Sequence, residues 1–325
     1  MNKPVFKKML AWLIIGASLF LIGKHFIANK KDFELFLQIN IYTQALLLTL
    51  TYIIHHLTTY KIHAILKRTG LDHLSFQDWF KIFSISRLAN IYLPQGGNLY
   101  RSTVLKKKYN FSYTHSIGLI SMLTWLEITL IMLLLTFISL KPTILHEPLE
   151  QQSLVLFVIT FGIGTFPFLL YKMMLTLLSN KIEGTWIYKR LEAMIKMFLL
   201  VITSPPFIIR IISITILIFA FYFFLTYVCF KALNIPITFW AGAIFTAILL
   251  FSKSFNIVPG NIGLQEIILG EIAFAAGWGK GEGIVVSTVI RITEYIIILT
   301  LSLAVSKSFL TMRRLRQEIN SDNSF

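Results

Sequence analysis

Long apolar runs, separated by short clusters of Lys and Arg, extend along most of the chain. Four of them contain no charged side chain: residues 35–60, 151–171, 211–230 and 232–252. A helix that spans the hydrocarbon of a bilayer needs about 20 predominantly apolar residues, and each run reaches that length. The pattern therefore predicts an all-α polytopic membrane protein.

The charges between the runs indicate the topology, because loop Lys and Arg residues are retained on the cytoplasmic side. We interpret the basic segments 61–81, 101–108, 172–196 and 307–316 as cytoplasmic, and the segment with Glu147 and Glu150 as external. We expect about six full transmembrane helices, near residues 9–27, 41–60, 112–140, 153–175, 207–230 and 284–306. Residues 1–306 would then form one transmembrane domain and residues 307–325 a short basic tail, with both termini cytoplasmic. Only Lys24, Lys30 and Lys31, partly balanced by Asp32 and Glu34, oppose the orientation of the first span.

Two further apolar segments contain helix breakers. Residues 76–101 include Pro94 and the pair Gly96–Gly97, and residues 239–279 include Pro259, Gly260 and Gly263. Pro and Gly free backbone groups that lipid cannot satisfy, so such breaks must be buried in protein or line a wet cavity. We expect two re-entrant broken-helix segments, the first entering from the cytoplasm and the second from outside.

The two interrupted segments resemble each other. Residues 86–94 read SRLANIYLP and residues 252–259 read SKSFNIVP, so Ser, a basic residue, Asn, Ile and Pro recur in order. Arg101 follows the first proline by seven residues and Glu266 the second, and Glu127 and Arg291 follow 26 and 25 residues later. We interpret 76–140 and 239–306 as inverted repeats, the plan of many transporters, with Pro94 and Pro259 on opposite sides of a shared polar cavity.

Charged residues within the apolar runs are the candidate functional groups, because an ionisable side chain at a helix centre costs roughly 2.5–3.5 kcal/mol. Arg291 and Glu294 are three residues apart and are expected to pair on one helix face. Glu127 needs Arg101, Arg87 or a cation of the second half, or it must be protonated. The predicted substrate-binding residues are these groups and those at the breaks: Arg87, Asn90, Pro94, Gly96, Gly97, Arg101, Glu127, Lys253, Asn256, Pro259, Gly260, Gly263, Glu266, Arg291 and Glu294.

An anionic ligand fits the predicted substrate-binding residues. A helix that restarts after Gly97 or Gly260 presents free N–H groups and the positive end of its dipole, which attract anions. Because Arg87, Arg101 and Lys253 are close in sequence to these restarts, a phosphate fits best. A lipid headgroup supplies a phosphate together with apolar chains that match the surroundings.

The composition of the chain argues against several classes of function. The net charge of +15 resides mostly at the ends of apolar runs, where it sets orientation and contacts anionic lipid, so nucleic-acid binding is not expected. The single cysteine, Cys229, excludes an intramolecular disulfide. The spacing of His, Cys and carboxylate residues indicates no metal site, and neither a P-loop nor a G-x-S-x-G motif occurs. We expect no cofactor and no enzyme activity.

The two breaks resemble a known family. Residues 93–101, LPQGGNLYR, and 258–266, VPGNIGLQE, together with the span that carries Arg291, are similar to the flippase-like membrane domain of lysylphosphatidylglycerol synthases. This resemblance implies movement of lipid between leaflets through a cavity between two repeats. Asn98 stands near a position where the family commonly has an acidic residue. The synthases also carry a soluble aminoacyl-transfer domain; this chain resembles a stand-alone relative without it, so lysyl transfer is not implied.

Three functions are consistent with these features. The first is a flippase of the plasma (inner) membrane for a phospholipid or a polyprenyl-linked lipid. The second is a non-catalytic partner of a lipid-modifying synthase or glycosyltransferase. The third is a membrane-embedded enzyme of lipid-linked glycan assembly, in which Glu127 and Glu266 would be the acid or base.

The predicted topology can be tested by labelling single cysteines with a membrane-impermeant reagent in a Cys229→Ser background. We expect a cysteine at position 150 to react from outside the cell and one at position 320 to be protected, because loop charge places them on opposite sides. The reverse pattern would invert the topology.

Overall fold

The computed structural model describes residues 39–139, 158–165, 203–254, 259–261, 263–275 and 277–322, with isolated positions 37, 169, 192, 195, 196, 199 and 200, and the side chains up to residue 306. The described part is all-helical. Its long helices, in chain order, are α1 (Ile41–Arg68), α2 (Phe76–Tyr92), α3 (Gly96–Tyr109), α4 (Tyr113–Ser139), α5 (Pro205–Ala232), α6 (Phe239–Ser254), α7 (Leu264–Ala275) and α8 (Lys280–Asp322).

Helices α1 and α2 form an antiparallel hairpin whose ends follow from capping residues. The side chain of Asn40 accepts a hydrogen bond from the Tyr42 N–H (2.9 Å) at the start of α1, and Ser75 does the same for Asp78 (3.1 Å) at the start of α2, which satisfies N–H groups that lack helical partners. Gly70, at φ 101°, lies in the turn between them. The prediction that a loop begins at Lys61 is wrong, since α1 continues to Arg68 and buries Lys61.

The first predicted break separates α2 from α3. Leu93 is extended at φ −130° because a following proline disfavours helical geometry, and Gln95 adopts a left-handed φ of 59°. The chain then folds back so closely that a Cβ on Gly97 would lie 2.1 Å from the Ser86 carbonyl oxygen. The Gly97 N–H donates to the Asn90 side chain at 2.6 Å. A glycine is therefore required at this position of the close α2–α3 contact.

The second predicted break separates α6 from α7. After Ser254 the described chain resumes in a short 3-10 turn at Pro259–Asn261, where Gly260 has a φ of 58°, and Gly263, at φ 82°, precedes α7. The side chain of Glu266, in the first turn of α7, accepts a hydrogen bond from the Gly263 N–H at 2.8 Å. The predicted site residue Asn256 lies outside the described residues.

The order helix, break, short helix, long helix thus occurs twice, in α2–α3–α4 and in α6–α7–α8. The two sets contact each other reciprocally: α2 packs against α8, and α6 packs against α4. In addition, α2 contacts the turn at Pro259–Asn261. This exchange of partners is the pattern that two repeats related by a pseudo-two-fold axis produce. The entry of the two segments from opposite membrane faces stays a prediction.

The core consists of two apolar clusters. One joins the first half of α1 to α5, α6 and α8, with Leu47, Leu225 and Phe245 at its centre. The other joins the second half of α1 to α2, α3 and α4, and includes Trp79 and Met122. Helix α1 contributes to both clusters.

Three of the described helices are long and apolar enough to cross a membrane: Tyr113–Ile138 of α4, all of α5, and Lys280–Ser306 of α8. They coincide with the predicted spans 112–140, 207–230 and 284–306, which supports a multi-pass membrane protein. The predicted span 41–60 lies within α1, which is not one of these three helices. The predicted span 9–27 lies outside the described residues, and the described positions of 153–175, namely 158–165 and 169, are helical. The six-span arrangement stays a prediction.

Helices α7 and α8 pack closely around a glycine. A Cβ on Gly283 would lie 2.4 Å from the Leu269 carbonyl oxygen, whereas one on Gly281 would meet nothing within 4 Å. We therefore expect Gly283→Ala to separate the helices and destabilise the protein by about 1–3 kcal/mol, as overpacking does. Gly281→Ala, two residues away, is the matched control and should be neutral or stabilising by up to about 1 kcal/mol. Thermal unfolding in detergent measures both, and equal midpoints would refute the close contact.

Candidate functional site

A cavity of about 150 Å³, the main cavity, lies among α1, α2, α4, α5, α6 and α8. Much of its wall is apolar and comes from Ile, Leu and Phe side chains of all six helices. Five charged residues also line it: Lys61, Arg87, Glu127, Lys253 and Glu294. Four of these five were predicted as site residues, and the structure brings them together.

Glu294 is the centre of one charge cluster in this cavity. Its Oε1 accepts from the Lys253 ammonium and from the Tyr222 hydroxyl at 3.0 Å, and Arg87 lies 4.0 Å from Oε2. Residues from α2, α5, α6 and α8 therefore converge on one carboxylate. The prediction that Glu294 pairs with Arg291 on its own helix is wrong, because both residues find partners on other helices.

Glu127 takes part in a second ion pair. Its Oε1 lies 2.6 Å from the Lys61 ammonium, so it pairs with α1 and with none of the cations considered in the sequence analysis. The Lys61 side chain is 2% exposed and that of Glu127 is 35% exposed. The cation is thus enclosed, while the carboxylate faces accessible space.

A smaller cavity of about 60 Å³ lies among α2, the end of α6, the turn at Pro259–Asn261, the start of α7 and α8. Arg87, Lys253 and Glu294 line it as well as the main cavity. Its other lining residues include Asn90 from α2, Gly260 and Asn261 from the second break, and Arg291 and Tyr295 from α8. The second break thus lines this cavity together with α2, whereas residues 93–97 of the first break and Pro259 line neither cavity, so a polar cavity shared by the two breaks stays a prediction.

Arg291 joins the second break to α8. Its guanidinium pairs with Glu266 of α7 and lies 3.5 Å from the Asn261 carbonyl oxygen. The side chains of Arg291 and Glu266 are 10% and 13% exposed. Glu266 also accepts from the Gly263 N–H and lines neither cavity. Its contacts are those of a residue that holds α7 against α8, and its predicted role in substrate handling stays a prediction.

Arg101 lies behind the wall of the main cavity. Its guanidinium is 5.5 Å from the centre of the Phe83 ring, and Phe83 lines the cavity. Arg101 also donates to the Asn98 side-chain oxygen, so an amide supplies the acceptor at this position. Gly96 and Gly97 begin α3, the helix that carries Arg101, and both lie close to the backbone of α2.

Lys61, Tyr222 and His55 line the main cavity but were absent from the predicted site. His55 is buried, and its Nε2 lies 3.2 Å from the Ser84 hydroxyl. The sequence does contain a signal for Lys61, because the cavity-lining residues of α1 follow the spacing of one helix face: Thr51, Ile54, His55, Thr58 and Lys61. Within the described residues, no group of three or more His, Cys, Asp and Glu side chains could hold a metal ion.

Apolar helices around a charged internal cavity define a multi-pass helical membrane protein. Residues 9–302 match the family described as lysylphosphatidylglycerol synthase TM region. The chain belongs to this family, which confirms the resemblance in the sequence and supports a role connected with membrane lipids. No curated protein and no solved structure matches the chain.

The Arg291–Glu266 pair predicts a non-additive response to mutation. Glu266→Gln leaves a mostly buried guanidinium without its carboxylate, and breaking a buried pair in this way costs about 3–5 kcal/mol. The double variant Glu266→Gln/Arg291→Met removes both charges and should recover much of that loss. Glu271→Gln, at an exposed ion pair with Lys280, is the control and should change little. If the double variant unfolds at a temperature no higher than Glu266→Gln alone, the two charges are not coupled.

Proposed function

We propose that the protein is a flippase that moves an anionic lipid, a phospholipid or a polyprenyl-linked lipid, between the leaflets of the plasma membrane. The observation that carries this proposal is the main cavity, in which apolar walls surround Arg87 and two lysine–glutamate pairs. An amphiphile with a phosphate in its headgroup matches both properties. In this proposal both termini are cytoplasmic and the protein itself performs no covalent chemistry.

The charge of the site favours an anion. Lys61, Arg87 and Lys253 line the main cavity against Glu127 and Glu294, which leaves a surplus of one positive charge. Enclosed charge in a low-dielectric medium is costly unless it is compensated. A headgroup phosphodiester carries one negative charge and would neutralise the surplus.

Arg87 is the best candidate for the phosphate contact. It lines both cavities, and its ion-pair contact with Glu294, at 4.0 Å, is longer than a hydrogen bond. Its side chain is 35% exposed, against 17% for Lys253. A guanidinium also presents a planar fork of donors that matches two phosphate oxygens.

The wall of the main cavity favours lipid chains. Leu130 and Leu134 of α4 and Ile216 of α5 line it, and Ile216 is 50% exposed, so the wall reaches the outer surface of the described helices. A headgroup inside the cavity could therefore keep its chains in the apolar surroundings. A soluble anion, which has no apolar chains, would gain no binding free energy from this apolar wall.

Leaflet exchange of acyl-labelled phosphatidylglycerol in proteoliposomes tests the proposal, with a labelled polyprenyl phosphate lipid in parallel. We expect wild type to exceed protein-free vesicles and Arg87→Ala to reduce the rate about tenfold or more, because a charge-assisted contact is worth roughly 1.5–3 kcal/mol. Arg87→Lys should restore only part of it, since a point charge does not replace the fork.

Lys67→Ala, at the exposed end of α1, is the matched control and should exchange lipid like wild type. All proteins are compared at equal density in the vesicles. Wild-type exchange of both lipids no faster than in protein-free vesicles would contradict the flippase. The non-catalytic partner and the membrane-embedded enzyme would then be the remaining functions.

A further inference from the structure

The Lys61–Glu127 pair belongs to neither of the two breaks, yet it lines the main cavity together with the Lys253–Glu294 pair. The cavity thus contains two lysine–glutamate pairs built from four different helices. The two pairs differ in how many other contacts their glutamates make. Glu294 also receives the Tyr222 hydroxyl and the nearby Arg87 guanidinium, whereas within the described residues Glu127 accepts a hydrogen bond only from Lys61. The Lys61–Glu127 pair is therefore easier to separate.

Lys61 has unused capacity to bind an anion. An ammonium group has three N–H donors, and one of them reaches Glu127 at 2.6 Å. Across the described part of the chain, Lys61 donates to no other acceptor. Its partner Glu127 is the more accessible of the two side chains. A phosphate could take the place of the carboxylate without leaving the ammonium uncompensated.

The position of Lys61 along the cavity also matters. His55 contacts Ser84 and the Trp79 indole donates to the Thr59 carbonyl at 3.0 Å, which fixes the antiparallel register of α1 and α2. By this register Arg87 lies about nine residues of α1 away from Lys61. At a rise of 1.5 Å per residue their backbones are separated by about 14 Å along the helix axis. That distance is roughly half the 30 Å thickness of a hydrocarbon core.

We propose that Lys61 is a second headgroup-binding residue, which Glu127 covers until a lipid phosphate displaces it. The main cavity then has two phosphate positions, one at Arg87 and Lys253 and one at Lys61, and a headgroup crosses the membrane by passing between them. This inference rests on the proposed flippase and adds the residue that makes the second half of the path.

Two measurements on purified protein separate this role from a structural one. The first is exchange of acyl-labelled phosphatidylglycerol in proteoliposomes. The second is the rise in unfolding temperature that the same lipid causes in detergent, which reports binding. Lys67→Met on the exposed end of α1 is the matched control and should equal wild type in both.

The double variant Lys61→Met/Glu127→Gln is the decisive one, because removal of both charges leaves no uncompensated group and preserves folding. We expect its exchange rate to fall about tenfold, the effect of one lost charge-assisted contact. Lipid binding should change by less than about threefold, since Arg87 and Lys253 are intact. Arg87→Ala should instead lose binding and exchange together.

The single variant Glu127→Gln should strengthen lipid binding. It removes the competitor for Lys61, so phosphatidylglycerol should bind about tenfold more tightly and stabilise this variant more than wild type. A purely structural pair would lower stability without tightening binding.

The outcomes distinguish the two proposals. If wild type exchanges lipid and the double variant does so at the same rate, Lys61 is structural and this inference is overturned while the flippase stands. If wild type exchanges neither phosphatidylglycerol nor the polyprenyl lipid, the flippase fails and the second position fails with it. Absence of tightening in Glu127→Gln, at normal protein levels, also counts against Lys61.

Discussion

Charge inside an apolar environment is the constraint on which this structure depends. An ionised side chain in the membrane needs a partner of opposite sign, because desolvation is costly and water is absent. Within the described residues, three ion pairs each join two different helices: Lys61 and Glu127 join α1 to α4, Lys253 and Glu294 join α6 to α8, and Glu266 and Arg291 join α7 to α8. Lipid tails are as apolar as Leu, so the hydrophobic effect alone would hold these helices together only weakly. The pairs supply specific contacts.

The same constraint connects folding with function. Two of these pairs, Lys61–Glu127 and Lys253–Glu294, also line the main cavity, and Arg87 adds the surplus positive charge that would attract an anion in the proposed function. A fully balanced set would hold the helices equally well but would offer a headgroup no electrostatic gain. Arg87 shows this most clearly, because it approaches Glu294 and faces both cavities without a closer ion pair in the described residues.

The features set by local chemistry were predictable from the sequence. Pro94 constrains Leu93, and Gly97 permits the close return of α3 onto α2, so the first break follows from a few neighbouring residues. The choice of ionic partners depends on which helices meet, which spacing does not reveal. Glu294 was expected to pair with Arg291 because they are three residues apart, but α6 brings Lys253 to it. Lys61 was assigned to a loop because a cation at the end of an apolar run usually marks the interface.

The reciprocal contacts of the two repeats also affect biosynthesis. Lys61 and Glu127 are separated by 66 residues, so the ribosome supplies both early. Arg87 approaches Glu294, which is translated about 200 residues later, or roughly 10–40 s at 5–20 residues per second. During that interval α2 lacks both α8 and the turn at Pro259–Asn261 against which it packs. The packing of α2 is therefore completed only after most of the chain has been translated.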